Sequence, residues 1–200
     1  MIPVQYRIST SQQISPLQHV KIALNSGCKW IQLEVKEADQ IDLDTLNQIK
    51  DLCRAQEATF IIEDHIDLVK AIDGDGVHIT TDTSVMEVRQ QLGEGFLIGA
   101  NAKDKEDIVR KKQQSADYIC YGPYNTSNTG VTIDLQNYKE TISYTEDKGV
   151  FLPICAYGKI LPNEVLPIIE TGMRGISICI ETNEINEDLI TTTLNQYLSL

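Results

Sequence analysis

The feature that most limits what this chain can fold into is a rhythm. A short β-branched run, a polar turn and an amphipathic helix follow one another eight times across 200 residues. Strands are expected at Val4–Ile8, Trp30–Leu33, Thr59–Ile62, Gly76–Ile79, Leu97–Ala100, Tyr118–Tyr121, Ile154–Ala156 and Gly175–Ile178. Each is rich in Val, Ile or aromatic residues and bounded by Gly, Asp or Asn. Helices are expected at Pro16–Ser26, Asp44–Ala55, Ile66–Ile72, Ser84–Gln91, Lys105–Gln114, Leu135–Thr145, Asn163–Glu170 and Asn186–Leu198. Their Asp, Ser and Asn starts are N-cap chemistry, and Gly27 suits the end of the first.

Strands alternating with helices imply parallel βαβ units and an α/β fold. An open doubly wound sheet and a closed (β/α)8 barrel both satisfy that alternation. The count of eight favours the TIM barrel, with eight parallel strands. No G-x-G-x-x-G follows the first strand, so the usual mark of a dinucleotide-binding open sheet is missing. No linker or low-complexity segment interrupts the chain, and a single barrel domain over residues 1–200 is expected.

Composition narrows the function classes. Hydrophobic residues at 42% and charged residues at 23% suit a globular chain and exclude a disordered one. No apolar run approaches the ~20 residues of a membrane-spanning helix. Met1 to Arg7 lacks the features of a signal peptide, so a cytoplasmic location is expected. Seventeen Lys and Arg against 29 Asp and Glu leave a net charge of −12. That argues against nucleic acid and anionic membrane as partners, since both demand clustered cations. An anionic small substrate would need help from helix N-termini, a metal ion or a few local cations. Five widely spaced cysteines, without C-x-x-C, read as small buried hydrophobes in a reducing compartment.

In such a barrel, chemistry sits at the carboxyl ends of the strands and in the loops beyond them. The positions to inspect are Gln32, Glu34 and Lys36; Glu63, Asp64 and His65; His78, Thr81 and Asp82; Asn101 and Lys103. Further on come the 122–130 loop, Tyr157 to Lys159, and Cys179 to Thr182. Glu34 and Lys36 share one strand face, which also suits a mutual ion pair. Asp64 and His65 also suit a helix cap.

Four segments carry a family resemblance. They are Ala23–Leu33 (ALNSGCKWIQL), Phe60–Leu68 (FIIEDHIDL), Asp75–Ile79 (DGVHI) and Ala116–Pro123 (ADYICYGP). In order and at this spacing they resemble the thiamine-phosphate synthase and thiazole tautomerase superfamily of (β/α)8 barrels. The resemblance implies thiamine biosynthesis. It implies a transferase that joins an aminopyrimidine diphosphate to a thiazole phosphate and releases pyrophosphate. Magnesium would assist departure of the diphosphate as a pyrimidine carbocation forms.

Carried over residue by residue, the resemblance makes Lys36, Asp64 and Asn101 catalytic. It assigns substrate binding to Gln32, Ser127, Thr129, Gly158, Lys159, Cys179 and Ile180, and magnesium to Asp64; the second metal carboxylate falls on Thr83, and Asp82, one position earlier, takes that role if the loop shifts by a residue. The sequence also departs from the family. Glu34 stands where the family has arginine, and Gly130 where it has a diphosphate-binding lysine. Asn101 replaces a serine, Lys159 a glycine, and Lys103 the tautomerase histidine. A phosphorylated heterocycle is the expected partner, and assembly into a homo-oligomer stays open. A non-catalytic binder of thiazole phosphate or thiamine phosphate, and a tautomerase-like isomerase, are the alternative readings.

Overall fold

A computed structural model describes residues 3–9, 14–36, 41–125, 133–180 and 185–200. Ser127, Thr129 and Gly130 lie outside these residues. The strands are β1 (Val4–Ser9), β2 (Trp30–Glu34), β3 (Thr59–Glu63), β4 (Gly76–Ile79), β5 (Leu97–Ala102), β6 (Tyr118–Tyr124), β7 (Ile154–Gly158) and β8 (Gly175–Cys179). They are ordered β1-β2-β3-β4-β5-β6-β7-β8 in a closed barrel, as the eightfold alternation requires. The helices are α1 (Pro16–Asn25), α2 (Leu43–Ala55), α3 (Ile66–Ile72), α4 (Val85–Leu92), α5 (Lys105–Gln113), α6 (Leu135–Asp147), α7 (Val165–Glu170) and α8 (Glu187–Leu198).

The expected strands are all present, and most run one to three residues further at their carboxyl ends. Glu34, Glu63 and Gly158 are therefore last residues of strands, and Asn101 lies inside β5 rather than after it. Polar side chains there read as loop in the sequence, yet their backbones remain in the ladder. The seventh helix differs most. Pro162–Glu164 forms a 3-10 turn, and α7 begins only at Val165.

Ser84 and Asn186 cap their helices as expected, whereas α2 is capped by Asp42 rather than Asp44 and Asn163 lies in the 3-10 turn. Ser15, Asp42, Ser84, Asp104, Asp134 and Asn186 each accept an N–H from the first turn of the helix that follows. After α1 the Gly27 N–H reaches Leu24 O at 2.9 Å and the Cys28 N–H reaches Ala23 O at 3.1 Å. That is a Schellman end, and Gly27 at φ +92° supplies its left-handed residue. It turns the chain directly into β2.

Two compact units divide the chain: Pro3–His78 with Cys179–Leu200, and Ile79–Ile178. In the first unit, alternation along the strands separates two faces. Tyr6, Ile8, Ile31, Leu33, Phe60 and Ile62 are buried on one. Tyr6 meets α1 there through His19, its hydroxyl 2.6 Å from Nε2. Arg7, Gln32, Glu34 and Glu63 fall on the other. In the second unit, β6 and β7 approach unusually closely. A Cβ on Gly122 would lie 2.2 Å from Tyr157 O, and one on Gly158 2.4 Å from Tyr124 N.

Cys28, Cys53, Cys120 and Cys155 are buried, and Cys179 is half-buried; all are free thiols. Burial pushes the Cys155 thiol up to about 12. Among the described residues, no helix is long and apolar enough to cross a membrane.

Candidate active site

The carboxyl ends of β1, β2 and β3 bring four polar side chains together. The register sets Arg7 opposite Gln32 and Ser9 opposite Glu34. From mid-β1 the long Arg7 side chain reaches Glu34 Oε1 with Nη2 at 3.0 Å. It also grips Glu63 at the end of β3, Nε to Oε1 at 2.5 Å and Nη2 to Oε2 at 3.0 Å. Gln32 donates Nε2 to the same Glu63 Oε1 at 2.7 Å. Burial alone would lower the guanidinium pKa. The hydrogen bond to Glu63 and the charges of Glu63 and Glu34 outweigh it and hold Arg7 above its ordinary value.

Glu34 therefore pairs with Arg7 and not with Lys36, because the register puts a cation on the neighbouring strand within closer reach. Lys36 is exposed beyond the end of β2. Arg7 is the site residue that sequence reasoning missed. Its signal was present: in Val4-Gln5-Tyr6-Arg7-Ile8-Ser9, period-2 alternation separates Arg7 from the apolar face. An acidic residue in place of the family's arginine also demands a cation elsewhere.

Asp64 follows β3 at φ 55°, a left-handed conformation that Asp tolerates better than most residues. Its N–H donates to His78 O at 3.0 Å, which fixes the turn across to β4. His65 is the N-cap of α3, but its side chain makes no cap bond. Its Nε2 lies instead 2.7 Å from Val35 O, tying this turn to the end of β2. His78 is buried.

The second unit supplies most of the remaining described candidates. Lys111 Nζ bonds Asn101 O, so the backbone of Asn101 is anchored from α5. Asp107, 2% exposed, accepts the Lys103 N–H at 3.0 Å and pairs with Arg110 at 2.6 Å. Asp82 is exposed and ion-paired with Lys103. The hydrogen bond and charge of Lys103 hold the Asp82 carboxyl below its ordinary range, and Asp82 raises Lys103 in return.

Gly158, at φ +136°, ends β7 where its register with β6 shifts. The next two amides already have acceptors: Lys159 N–H reaches Tyr124 O at 3.3 Å, and Ile160 N–H reaches Gly158 O at 3.0 Å. The Lys159 side chain is exposed, so it does not fill a buried pocket here. Gly158 is thus required by the close approach of Tyr124 before any anion is considered. Tyr124 in turn stacks on Tyr138, with ring centroids 5.8 Å apart. In the first unit, Cys179 ends β8 and Ile180 is buried just beyond it.

Among the described residues, no group of three or more His, Cys, Asp or Glu side chains could hold a metal ion. Both Glu63 oxygens are bonded to Arg7 or Gln32. Magnesium, however, commonly takes only one or two carboxylates and completes its shell with water and substrate phosphate.

Parallel strands ending in acids, amides and glycines define a (β/α)8 barrel protein with its polar residues where such enzymes carry their chemistry. The comparisons identify which. The thiamine monophosphate synthase family model matches residues 5–181. A thiamine-phosphate synthase of Bacteroides fragilis is 35% identical over 184 residues, 89% of this chain and 90% of its own length. One of Flavobacterium psychrophilum is 33% identical over 189 residues, 91% of this chain and 92% of its own. The solved thiamine phosphate pyrophosphorylase from Pyrococcus furiosus superposes with a TM-score of 0.81 at 20% identity, covering 98% of this chain and 94% of that one. The chain belongs to the thiamine monophosphate synthase family. Its reading as a thiamine-phosphate synthase-like transferase of thiamine biosynthesis stands on that membership.

Proposed function

We propose that this protein couples an aminopyrimidine diphosphate to a thiazole phosphate, forming thiamine phosphate and releasing pyrophosphate. The observation that carries the reading is the family match across residues 5–181, with Gln32 inside β2 and Asp64 directly after the adjacent β3. Gln32 binds the pyrimidine. Asp64 would hold magnesium, whose charge would offset that of the diphosphate; Asp82, the other candidate carboxylate, is engaged by Lys103 and would serve a metal only without that pairing. Lys36 is the cation for the diphosphate, and Asn101 and the loop containing Ser127 and Thr129 contact the substrates. The thiazole phosphate lies by Gly158, Lys159, Cys179 and Ile180.

A second reading, a non-catalytic binder of thiazole phosphate or thiamine phosphate, draws support from Arg7. That cation is already engaged by two carboxylates. Incubation of the protein with both substrates and magnesium separates the two. Formation of thiamine phosphate with one pyrophosphate per turnover supports the synthase. Binding of thiazole phosphate without product supports the binder.

A further inference from the structure

Gln32 is 2% exposed, and its Oε1 has no hydrogen-bond partner. The orientation of that amide is not free. Glu63 Oε1 stands 2.7 Å from the other amide atom, and a carboxylate only accepts, so Gln32 must turn its Nε2 toward Glu63. Glu63 cannot rotate away, because the Arg7 fork holds both of its oxygens. Arg7 is steadied in turn by Glu34. The constraint runs Glu34, Arg7, Glu63, Gln32, and it ends in a buried acceptor with nothing to accept. Such an atom is costly to leave empty, and a ligand N–H satisfies it.

We propose that Arg7 and Glu63 are positioning residues for substrate selection, fixing the Gln32 amide so that its carbonyl oxygen accepts the exocyclic amine of the pyrimidine. The inference rests on the synthase reading for the identity of the ligand. It assigns the selectivity for an amino group to residues that need not touch the substrate. With the amide locked, a pyrimidine lacking the amine meets a bare acceptor and offers only ring-nitrogen acceptors in return. Without Glu63 the amide can turn, present Nε2 to a ring nitrogen, and accept the poorer ligand.

The test is calorimetric titration with the uncharged aminopyrimidine alcohol and its des-amino analogue, which keeps diphosphate electrostatics out of the comparison. The wild-type protein should prefer the amino compound by more than about 30-fold, since buried groups built for a hydrogen bond reject ligands that lack it. Glu63→Leu should bring the preference to within about threefold, chiefly by improving des-amino binding. Arg7→Met should give an intermediate ratio, and Glu63→Asp, which keeps the carboxylate, should retain most of it. Mere structural damage would weaken both ligands together and leave the ratio unchanged. If Glu63→Leu does not fold, Arg7→Leu with Glu63→Leu removes both charges at once and carries the same measurement. An unchanged ratio in the variants, or no preference in the wild type, overturns the inference. If the wild type nonetheless makes thiamine phosphate, the synthase reading survives. A wild type that binds neither pyrimidine and makes no product overturns both.

Discussion

Arg7 Nη2 lies 3.0 Å from Glu34 Oε1, so the acid that replaces the family's arginine is neutralised from the neighbouring strand. With Glu63 also bound to Arg7, these three side chains carry a formal net negative charge. On the proposed reading, a diphosphate placed here would meet repulsion where the family's arginine would attract it. A unit-charge contact at ~4 Å is worth up to ~4 kcal/mol at an effective dielectric near 20, and part-exposure reduces this.

The first prediction follows. Glu34→Gln should tighten binding of inorganic pyrophosphate by about tenfold, and Glu34→Arg should tighten it further. Both gains should shrink at high salt. Turnover of the unaltered protein should lie well below the ~10 s⁻¹ typical of enzymes, and Glu34→Arg should raise it. Titration of pyrophosphate at two ionic strengths, with steady-state assays, decides it. An affinity unmoved by Glu34→Arg would mean the diphosphate binds elsewhere.

Gly158 gives the second prediction. At φ +136°, with Tyr124 N 2.4 Å from the place of a Cβ, Gly158→Ala combines backbone strain with a clash against main chain. It should cost at least about 3 kcal/mol in denaturant unfolding. Gly149→Ala, at φ +68° with nothing within 4 Å, should cost only about 1 kcal/mol. Gly158→Val is consequently a poor probe of anion binding, because it disturbs β6 first. Equal costs for the two alanine variants would show that β6 yields freely.

These cases show what the sequence could convey. Period and caps located every strand and helix to within a few residues, because burial repeats along the chain and is visible in one dimension. The strand ends were less legible. Glu34, Glu63 and Asn101 look like loop residues, and only the ladder keeps them extended. The places of Gln32 within β2 and of Asp64 just after β3 are legible because they follow from strand order. The partnership of Arg7 with Glu34 and Glu63 was not found, since it depends on register between three strands far apart in sequence. At Gly158 the sequence suggests room for a phosphate; the structure adds a second demand, room for the backbone of Tyr124.

Lys103 supplies the third prediction. Its ammonium pairs with Asp82, and that pairing competes with any cation Asp82 would bind. If Asp82 contributes to the magnesium site, Lys103→Met should lower the magnesium concentration for half-maximal turnover severalfold. Asp82→Asn should raise it, and Asp64→Asn should abolish the metal-dependent rate. A magnesium titration unaffected by both Lys103→Met and Asp82→Asn would leave Asp64 as the carboxylate that matters.

The last prediction concerns pH. His19 is fully buried under β1, with Nε2 2.6 Å from the Tyr6 hydroxyl and Nδ1 without a partner. Burial also keeps the Tyr6 phenol protonated by raising its pKa. A charged imidazolium would need acceptors at both nitrogens and finds at most one. Burial accordingly lowers the His19 pKa from 6.5 to about 4 in the folded protein. The unfolded chain takes up the proton below pH 6.5, whereas the folded chain waits until about pH 4. Between those values the unfolded state binds more protons, so stability must fall as pH falls. At 1.36 kcal/mol per unit, this group alone removes about 3 kcal/mol, and its contribution is flat below pH 4. Carboxylates also titrate in this window, so the measurement is a difference. Urea unfolding at pH 7, 5.5 and 4 should show the wild type losing about 3 kcal/mol more than His19→Gln, whose amide does not titrate. Parallel losses in the two proteins would show that the ring gains its proton in the folded state as readily as in the unfolded one.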